Sequence, residues 1–362
     1  MNLETDSLAP VIGKRMALVK QLNKSLKCES SQMIHPSIQD QFGRTFNYLR
    51  LALNEQCNLR CMYCMPEEGI NFRSEEKLLS TNEIFQLFYL TSKMGVSKIR
   101  LTGGEPLLRK DLVPIIQFAN SLDGVESIHL TTNGLLLLKY IHELESAGLS
   151  GINISLDTLE SNKYKTITRR DGLISVLDGL DKAIKSSIRS IKLNVVAMRD
   201  FNDDELMDFV ALTKENDITV RFIELMPFDS HQIWKTGKFY GADHIVEDIM
   251  NQVDELSPIG GSRTEHHVFQ VNDYKGKVAV IPAYSRSLCG ECNRFRITAD
   301  GKLLNCLYSQ DETNLRDAMR IGKTDIEIED MIRNTMKKKY KDGWEAQNQG
   351  NDNRESMTQI GG

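Results

Sequence analysis

The stretch FNYLRLALNEQCNLRCMYC, residues 46–64, places an apolar, strand-like run just before three cysteines spaced C-x3-C-x2-C at positions 57, 61 and 64. Runs of the same kind recur at KIRLTG (98–103), SIHLTTNG (127–134), GINISLD (151–157), IKLNVVA (191–197) and ITVRFIELMP (218–227). Each of the first five leads into apolar residues at helical i, i+3, i+4 spacing, most clearly TNEIFQLFYLTSKMG (81–95) and DDELMDFVALTKEN (203–216). Strand then helix, repeated, predicts a parallel α/β sheet. Six units are too few for a closed eight-stranded barrel, so the expectation is an open, partial (βα)6 TIM-type barrel with ligands at the C-terminal strand ends. The first cysteine trio falls on that face.

Beyond about residue 228 the character changes. HQIWKTGKFYGADH (231–244) reads as loop, and HHVFQVNDYKGKVAVI (266–281) as a hairpin turning at Lys275-Gly276. A second trio, Cys289-x2-Cys292-x13-Cys306, follows, then a charged helix-forming stretch (312–342) and a polar tail. The expected division is an N-terminal extension (1–40), a partial barrel (41–235), a C-terminal region with the second trio (236–342) and a tail (343–362) ending in Gly361-Gly362. The 362 residues are 40% hydrophobic and 26% charged with a net charge of −5, a globular composition without a nucleic-acid footprint. No apolar run is long enough to span a bilayer, and MNLETDSLAP lacks a signal pattern, so a soluble cytoplasmic protein is expected. Clustered cysteines then point to metal rather than disulfides, with Cys28 standing alone as an ordinary thiol. The KKKYK run (337–341) reads as a solvated helix face.

Three thiolates do not complete a structural zinc site, which takes four protein ligands. On a [4Fe–4S] cluster, three leave one iron open to a small molecule. The competing reading is zinc completed by a distant His or Cys, or by Cys28. In LTGGEPLLR (101–109), Gly103 and Gly104 permit close backbone approach to a ligand and Pro106 stiffens the turn, although a plain strand-to-helix turn would look the same. The second trio repeats the three-thiolate logic. Arg294 and Arg296 flank Phe295 and, in a strand, share one face, so both can converge on one anion. A zinc knuckle with two solvent arginines is the alternative. Arg50, Arg100 and Lys192, with Arg221 as a further candidate, sit in otherwise apolar strand patterns. Charge there is costly unless it faces a polar cavity, or unless the strand face is exposed.

Cys57-x3-Cys61-x2-Cys64 with Tyr63 before the third cysteine resembles the signature of the radical S-adenosylmethionine (SAM) superfamily, and GGEP (103–106) resembles its second motif. Together with CNRFRITADGKLLNCLYS (292–309), NISLDTL (153–159), RFIELMPF (221–228) and the terminal Gly361-Gly362, the chain from Phe42 onward resembles the GTP 3′,8-cyclase family of molybdenum cofactor biosynthesis. The resemblance implies two [4Fe–4S] clusters and SAM as cofactors. Cys57, Cys61 and Cys64 would hold the SAM cluster, and Cys289, Cys292 and Cys306 the cluster that meets the guanine of GTP. Tyr63, Gly103, Gly104, Glu105, Ser155 and Met226 stand at SAM-contact positions. Arg50, Arg100, Thr131, Lys192, Arg294, Phe295 and Arg296 stand at GTP positions, with Arg294 and Arg296 beside the chemistry. The implied reaction is abstraction of the ribose 3′ hydrogen by a 5′-deoxyadenosyl radical and closure of C3′ onto C8, giving (8S)-3′,8-cyclo-7,8-dihydroguanosine 5′-triphosphate. Implied partners are a reductant protein of flavodoxin or ferredoxin type and the downstream cyclic pyranopterin monophosphate synthase; nucleic acid and membrane are not among them, and a monomer or homodimer is expected. The resemblance also implies that the Gly361-Gly362 tail, with Arg354, inserts toward the site. Asn54-Glu55-Gln56 departs from the family's usual threonine–aspartate, residues 1–32 have no counterpart, and MIHPSIQDQFGR from Met33 resembles a usual family start. Outside this family, the alternatives are another radical SAM enzyme, such as a peptide-modifying maturase with accessory clusters, or a non-catalytic Fe–S or zinc scaffold.

Overall fold

The computed structural model describes residues 36–226, 236–260, 266–348 and 356–361. The chain clusters into Met1–Pro36 and Ser37–Gly362, and the second unit is the one described here. Cys28, Arg354 and Gly362 lie outside the described residues, as do parts of the 221–228 and 231–244 stretches.

All six expected strands form: β1 (Tyr48–Ala52), β2 (Lys98–Thr102), β3 (Ser127–Thr132), β4 (Gly151–Ser155), β5 (Ser190–Ala197) and β6 (Thr219–Glu224). They pair in parallel in sequence order. Helices follow as the periodicity predicts: α1 (Thr81–Lys93), α2 (Leu112–Asn120), α3 (Leu137–Ser146), α4 (Ser161–Thr168), α5 (Leu173–Ile184) and α6 (Leu206–Glu215). Ser80 starts α1 with a reciprocal box: its hydroxyl accepts from Glu83 N, and the Glu83 carboxylate accepts from Ser80 N at 2.7 Å.

The sheet does not stop at β6. After α7 (Ala242–Met250) come β7 (Leu256–Ile259), β8 (His267–Val271) and β9 (Lys277–Ile281), then β10 (Arg294–Ile297), β11 (Lys302–Leu304) and β12 (Glu312–Asn314), closed by α8 (Leu315–Arg320), α9 (Asp325–Lys337) and α10 (Gly343–Asn348). The strand order is β12-β11-β10-β1-β2-β3-β4-β5-β6-β9-β8-β7. The expected hairpin at 266–281 is present as β8 and β9. β9 also pairs in parallel with β6, and β10 pairs in parallel with β1. Among the described residues eight strands are therefore parallel where six were expected, with two antiparallel strands at each edge.

Alternation sorts the two faces. In β5, Ile191, Leu193 and Val195 are buried against the helices, while Lys192, Asn194 and Val196 point the other way. Leu49, Leu51, Ile99, Leu101, Ile128, Leu130, Phe295 and Ile297 continue the helix-facing core. The opposite face carries Arg50, Arg100, Thr131, Ser155, Asn194, Arg221, Arg294 and Arg296 and lines one cavity. No helix among the described residues is long and apolar enough to cross a membrane.

Candidate active site

The loop after β1 carries the first trio and is fixed by backbone pairing. Gly104 N donates to Asn54 O at 2.9 Å, Glu105 N to Gln56 O at 2.7 Å, and Asn54 Nδ2 to Glu105 O at 3.0 Å. The two glycines are needed for this contact: a Cβ on Gly104 would stand 2.2 Å from Gln56 O, and one on Gly103 (φ +143°) 2.6 Å from Asn54 O. Glu55 is buried and paired with Arg73, whose Nε also reaches Asp300 at 3.4 Å. From the other side, Arg60 N and Met62 N donate to Thr168 O and Ile167 O at 3.0 and 2.9 Å.

The second trio sits at the opposite end of the strands. Cys292 precedes β10, and Tyr48 N, at the start of β1, donates to Asn293 O at 3.3 Å. Cys306 follows β11, which runs antiparallel to β10, so it returns to the same end. The C-terminal strand ends, where the sequence reading expects ligands, thus carry the first trio, while the second trio lies at the start of β10 rather than after it. Both trios line the same cavity.

Between them the basic residues fall into register. Arg50 is paired with Arg296 on β10 and with Arg100 on β2, giving three arginines in one row across three adjacent strands. Arg100 and Arg296 are only 3% and 7% exposed. Arg294 joins them on β10, and Arg221 Nη2 donates to Asn194 Oδ1 on the far side. Thr131 Oγ1 accepts from Asn153 Nδ2 at 3.1 Å.

Tyr63, Gly103, Gly104, Ser155, Met226, Arg50, Arg100, Thr131, Arg294 and Arg296 all line the cavity with the six cysteines. Three expected residues do not. Phe295 alternates with the arginines and is buried in the helix-facing core. Glu105 is buried behind the wall, where its carboxylate accepts from Thr132 Oγ1 and Asn133 N, each at 2.7 Å, and so positions the end of β3. Lys192 shares the face of Asn194 but lies nearer the start of β5, outside the wall. Gly361 approaches Thr102 and Ala52 at the ends of β2 and β1.

Other site residues escaped the sequence reading. Lys339, read as part of a solvated run, is 3% exposed; its ammonium donates to the carbonyls of Asn305 and Arg294 and it lines the cavity. The KKKYK expectation is corrected there, because the chain after α9 turns this side chain under β10 and β11. Arg44 donates to Cys289 O at 3.0 Å and Tyr340 O at 2.6 Å, tying the entry to β1 to the second trio. Asp157 accepts from Tyr63 Oη at 2.7 Å and from Val196 N at 2.8 Å, holding the tyrosine beside the first trio.

The electrostatics separate the two ends. Burial pushes the thiols of Cys57, Cys61 and Cys64 up, Cys64 to about 12, and the neighbouring sulfurs add to the shift at Cys61. Burial also raises Asp157 to about 6 and Glu105 to about 7. At Cys292 burial acts upward but Lys339 and Arg294 overcome it and bring the thiol down to about 6. Three crowded thiols ionise together only when a cationic group compensates their charge, so the first set fits an iron–sulfur cluster. Among the described residues no three His, Cys, Asp or Glu side chains converge as a single ion requires. A four-iron cluster gives each thiolate its own iron.

Two stretches of the chain match known families. Residues 52–213 match the radical SAM superfamily, and residues 218–344 match the family described as Molybdenum Cofactor Synthesis C. The chain is 42% identical to the GTP 3′,8-cyclase of Chlorobaculum tepidum over 323 residues, covering 89% of this chain and 96% of that one. It is 40% identical to the GTP 3′,8-cyclase of Rhodopirellula baltica, covering 83% and 85%. Molybdenum cofactor biosynthesis protein 1 of Homo sapiens is 44% identical over 80% of this chain, which spans 45% of that longer protein. Streptococcus suis SuiB, solved bound to its precursor peptide SuiA, superposes with a TM-score of 0.58 at 14% identity over 93% of this chain and 73% of that one, a likeness of fold.

Proposed function

The chain belongs to the GTP 3′,8-cyclase family of radical SAM enzymes, and from that membership we propose that it joins the ribose C3′ of GTP to C8 of its guanine at the start of molybdenum cofactor biosynthesis. In this reading Cys57, Cys61 and Cys64 hold the [4Fe–4S] cluster that binds SAM, and Cys289, Cys292 and Cys306 hold a second cluster. When bound, SAM and its cluster supply hydrogen-atom abstraction from carbon. The remaining work belongs to the chain. Tyr63, oriented by Asp157, and Ser155 and Met226 bound the SAM side. Val196, Ile223 and Leu225 give the wall between the ends an apolar surface that keeps water away from a reactive carbon. Arg50, Arg100, Arg294 and Arg296 grip the triphosphate.

The observation that carries this reading is the arginine row. Like charges directly opposite on neighbouring strands repel. Burial and then Arg50 and Arg294 push the Arg296 guanidinium well below its ordinary value, which makes that repulsion explicit. A triphosphate carries enough negative charge to reverse it and presents oxygens suited to planar guanidinium donors. A peptide backbone, which is neutral, gives no reason for the row.

The proposed partners are a low-potential flavodoxin or ferredoxin and the synthase that consumes the cyclised nucleotide. The deciding experiment is an anaerobic assay of reconstituted protein with reductant and SAM, with and without GTP, quantifying 5′-deoxyadenosine and cyclised triphosphate. GTP-stimulated SAM cleavage with cyclised product supports the cyclase. Deoxyadenosine formed at a rate indifferent to GTP would move the substrate elsewhere.

A further inference from the structure

The turn after α9 is clasped to all three parts of the second trio. Lys339, buried in that turn, places its ammonium 5.3 Å from the centre of the Phe46 ring. The ammonium donates to the carbonyl of Asn305, the residue before Cys306, and to that of Arg294 at 3.3 Å. The Cys292 sulfur stands 4.0 Å from the same Arg294 oxygen, so ammonium and thiol meet at one carbonyl. The next two residues of the turn are tied to the third cysteine. Arg44 donates to Tyr340 O at 2.6 Å, to Lys341 O at 2.9 Å and to Cys289 O at 3.0 Å. Lys339 and the three cysteines line the same cavity.

The two cations of this clasp are balanced differently. Arg44 has the Asp40 carboxylate at 2.6 Å. Lys339 has no carboxylate partner among the described residues, and its two carbonyls leave one of three N–H bonds without an acceptor there. A buried ammonium held only by neutral groups is costly. Thiolates ligating a cluster beside it would supply the missing negative charge, and an added electron would increase that charge and its attraction to the cation. We propose that Lys339 is the resident counter-cation of the second cluster and makes that cluster easier to reduce. The inference rests on the reading of Cys289, Cys292 and Cys306 as cluster ligands. In the same reading the arginine row answers a nucleotide that comes and goes, whereas Lys339 answers a charge that stays. Lys339 is thus a positioning residue, acting through the cluster and not on substrate.

The test is an anaerobic potentiometric titration, followed by electron paramagnetic resonance, of full-length reconstituted protein whose iron is counted. The variants are Lys339→Met, which removes the charge and keeps the length, and Lys339→Arg, which keeps the charge. A triple variant, Cys289→Ala with Cys292→Ala and Cys306→Ala, identifies the second-site signal as the one it removes. Lys339→Met should move the second-site midpoint to more negative potential and leave the first-site midpoint in place. Lys339→Arg should keep the wild-type value at both. A Lys339→Met midpoint that coincides with wild type, or a Lys339→Arg midpoint displaced as far as that of Lys339→Met, would overturn the counter-cation. If Lys339→Met loads no second cluster, Lys339→Arg decides: second-site iron with the wild-type midpoint supports the proposal, and loss of that iron from both variants overturns it. A triple variant that keeps both signals would instead overturn the second-trio reading on which the inference rests.

Discussion

At Arg296 the protein accepts a local penalty that, in the proposed reading, a nucleotide relieves. Replacing it with Met removes a buried charge beside two like charges, so Arg296→Met should raise the stability of nucleotide-free protein by on the order of 1 kcal/mol. The same change should abolish stabilisation by GTP, and calorimetry with and without GTP checks both halves. Asp111 illustrates the opposite case. Burial pushes its carboxyl up, but Arg109, whose Nε lies 2.7 Å away, and Thr81 overcome this and hold it below the usual carboxylate range. A depressed carboxylate contributes stability above its unfolded pKa and loses it as pH falls through the folded one. Asp111→Asn should therefore cost on the order of 1 kcal/mol at neutral pH, and the gap from wild type in urea midpoint should close below about pH 4. Single positions also mark the limit of sequence reading. The six cysteines and the strand arginines were legible because thiol spacing and charge in an apolar strand are local signals. Lys339 was not, since nothing in KKKYK distinguishes the one lysine that the fold turns inward.

The pairing of Asn54–Gln56 with Gly103–Glu105 is what makes a loop after one strand into a fixed platform for three thiols. Sequence assigned those glycines to ligand approach; the closest groups to them are backbone of the neighbouring loop. Gly104→Ala cannot be absorbed by a side-chain shift, because the obstacle is a carbonyl. It should lower the iron bound at the first site while leaving iron at the second, read as roughly half the wild-type iron content with loss of the SAM-responsive resonance. Full iron content and an unchanged resonance would show that the platform tolerates displacement. β5 shows the converse, an element whose alternating pattern announced both faces correctly. β10 was legible in its arginines and opaque in its partner, because pairing of residues 294–297 with 48–51 is a long-range choice.

For the whole chain, the segment after β6 supplies strands to both flanks of the parallel sheet, β9 against β6 and β10 against β1. A fragment ending at Met226 would leave both flanking strands as open edges. It should show no cooperative thermal unfolding by circular dichroism; a sharp transition would mean the first six units fold alone. The same topology has a metrical consequence. β1 has one thiol trio beyond its end and the other before its start, and its five residues span on the order of 13 Å at about 3.3 Å per residue. The strand that lies between the two trios is thus counted in peptide units, like marks on a ruler. Only an insertion or deletion changes that count, and parity restricts that too: one added residue would turn Arg50 into the core and Leu49 into the cavity. In the proposed reading, the site would sort molecules by length as well as by charge.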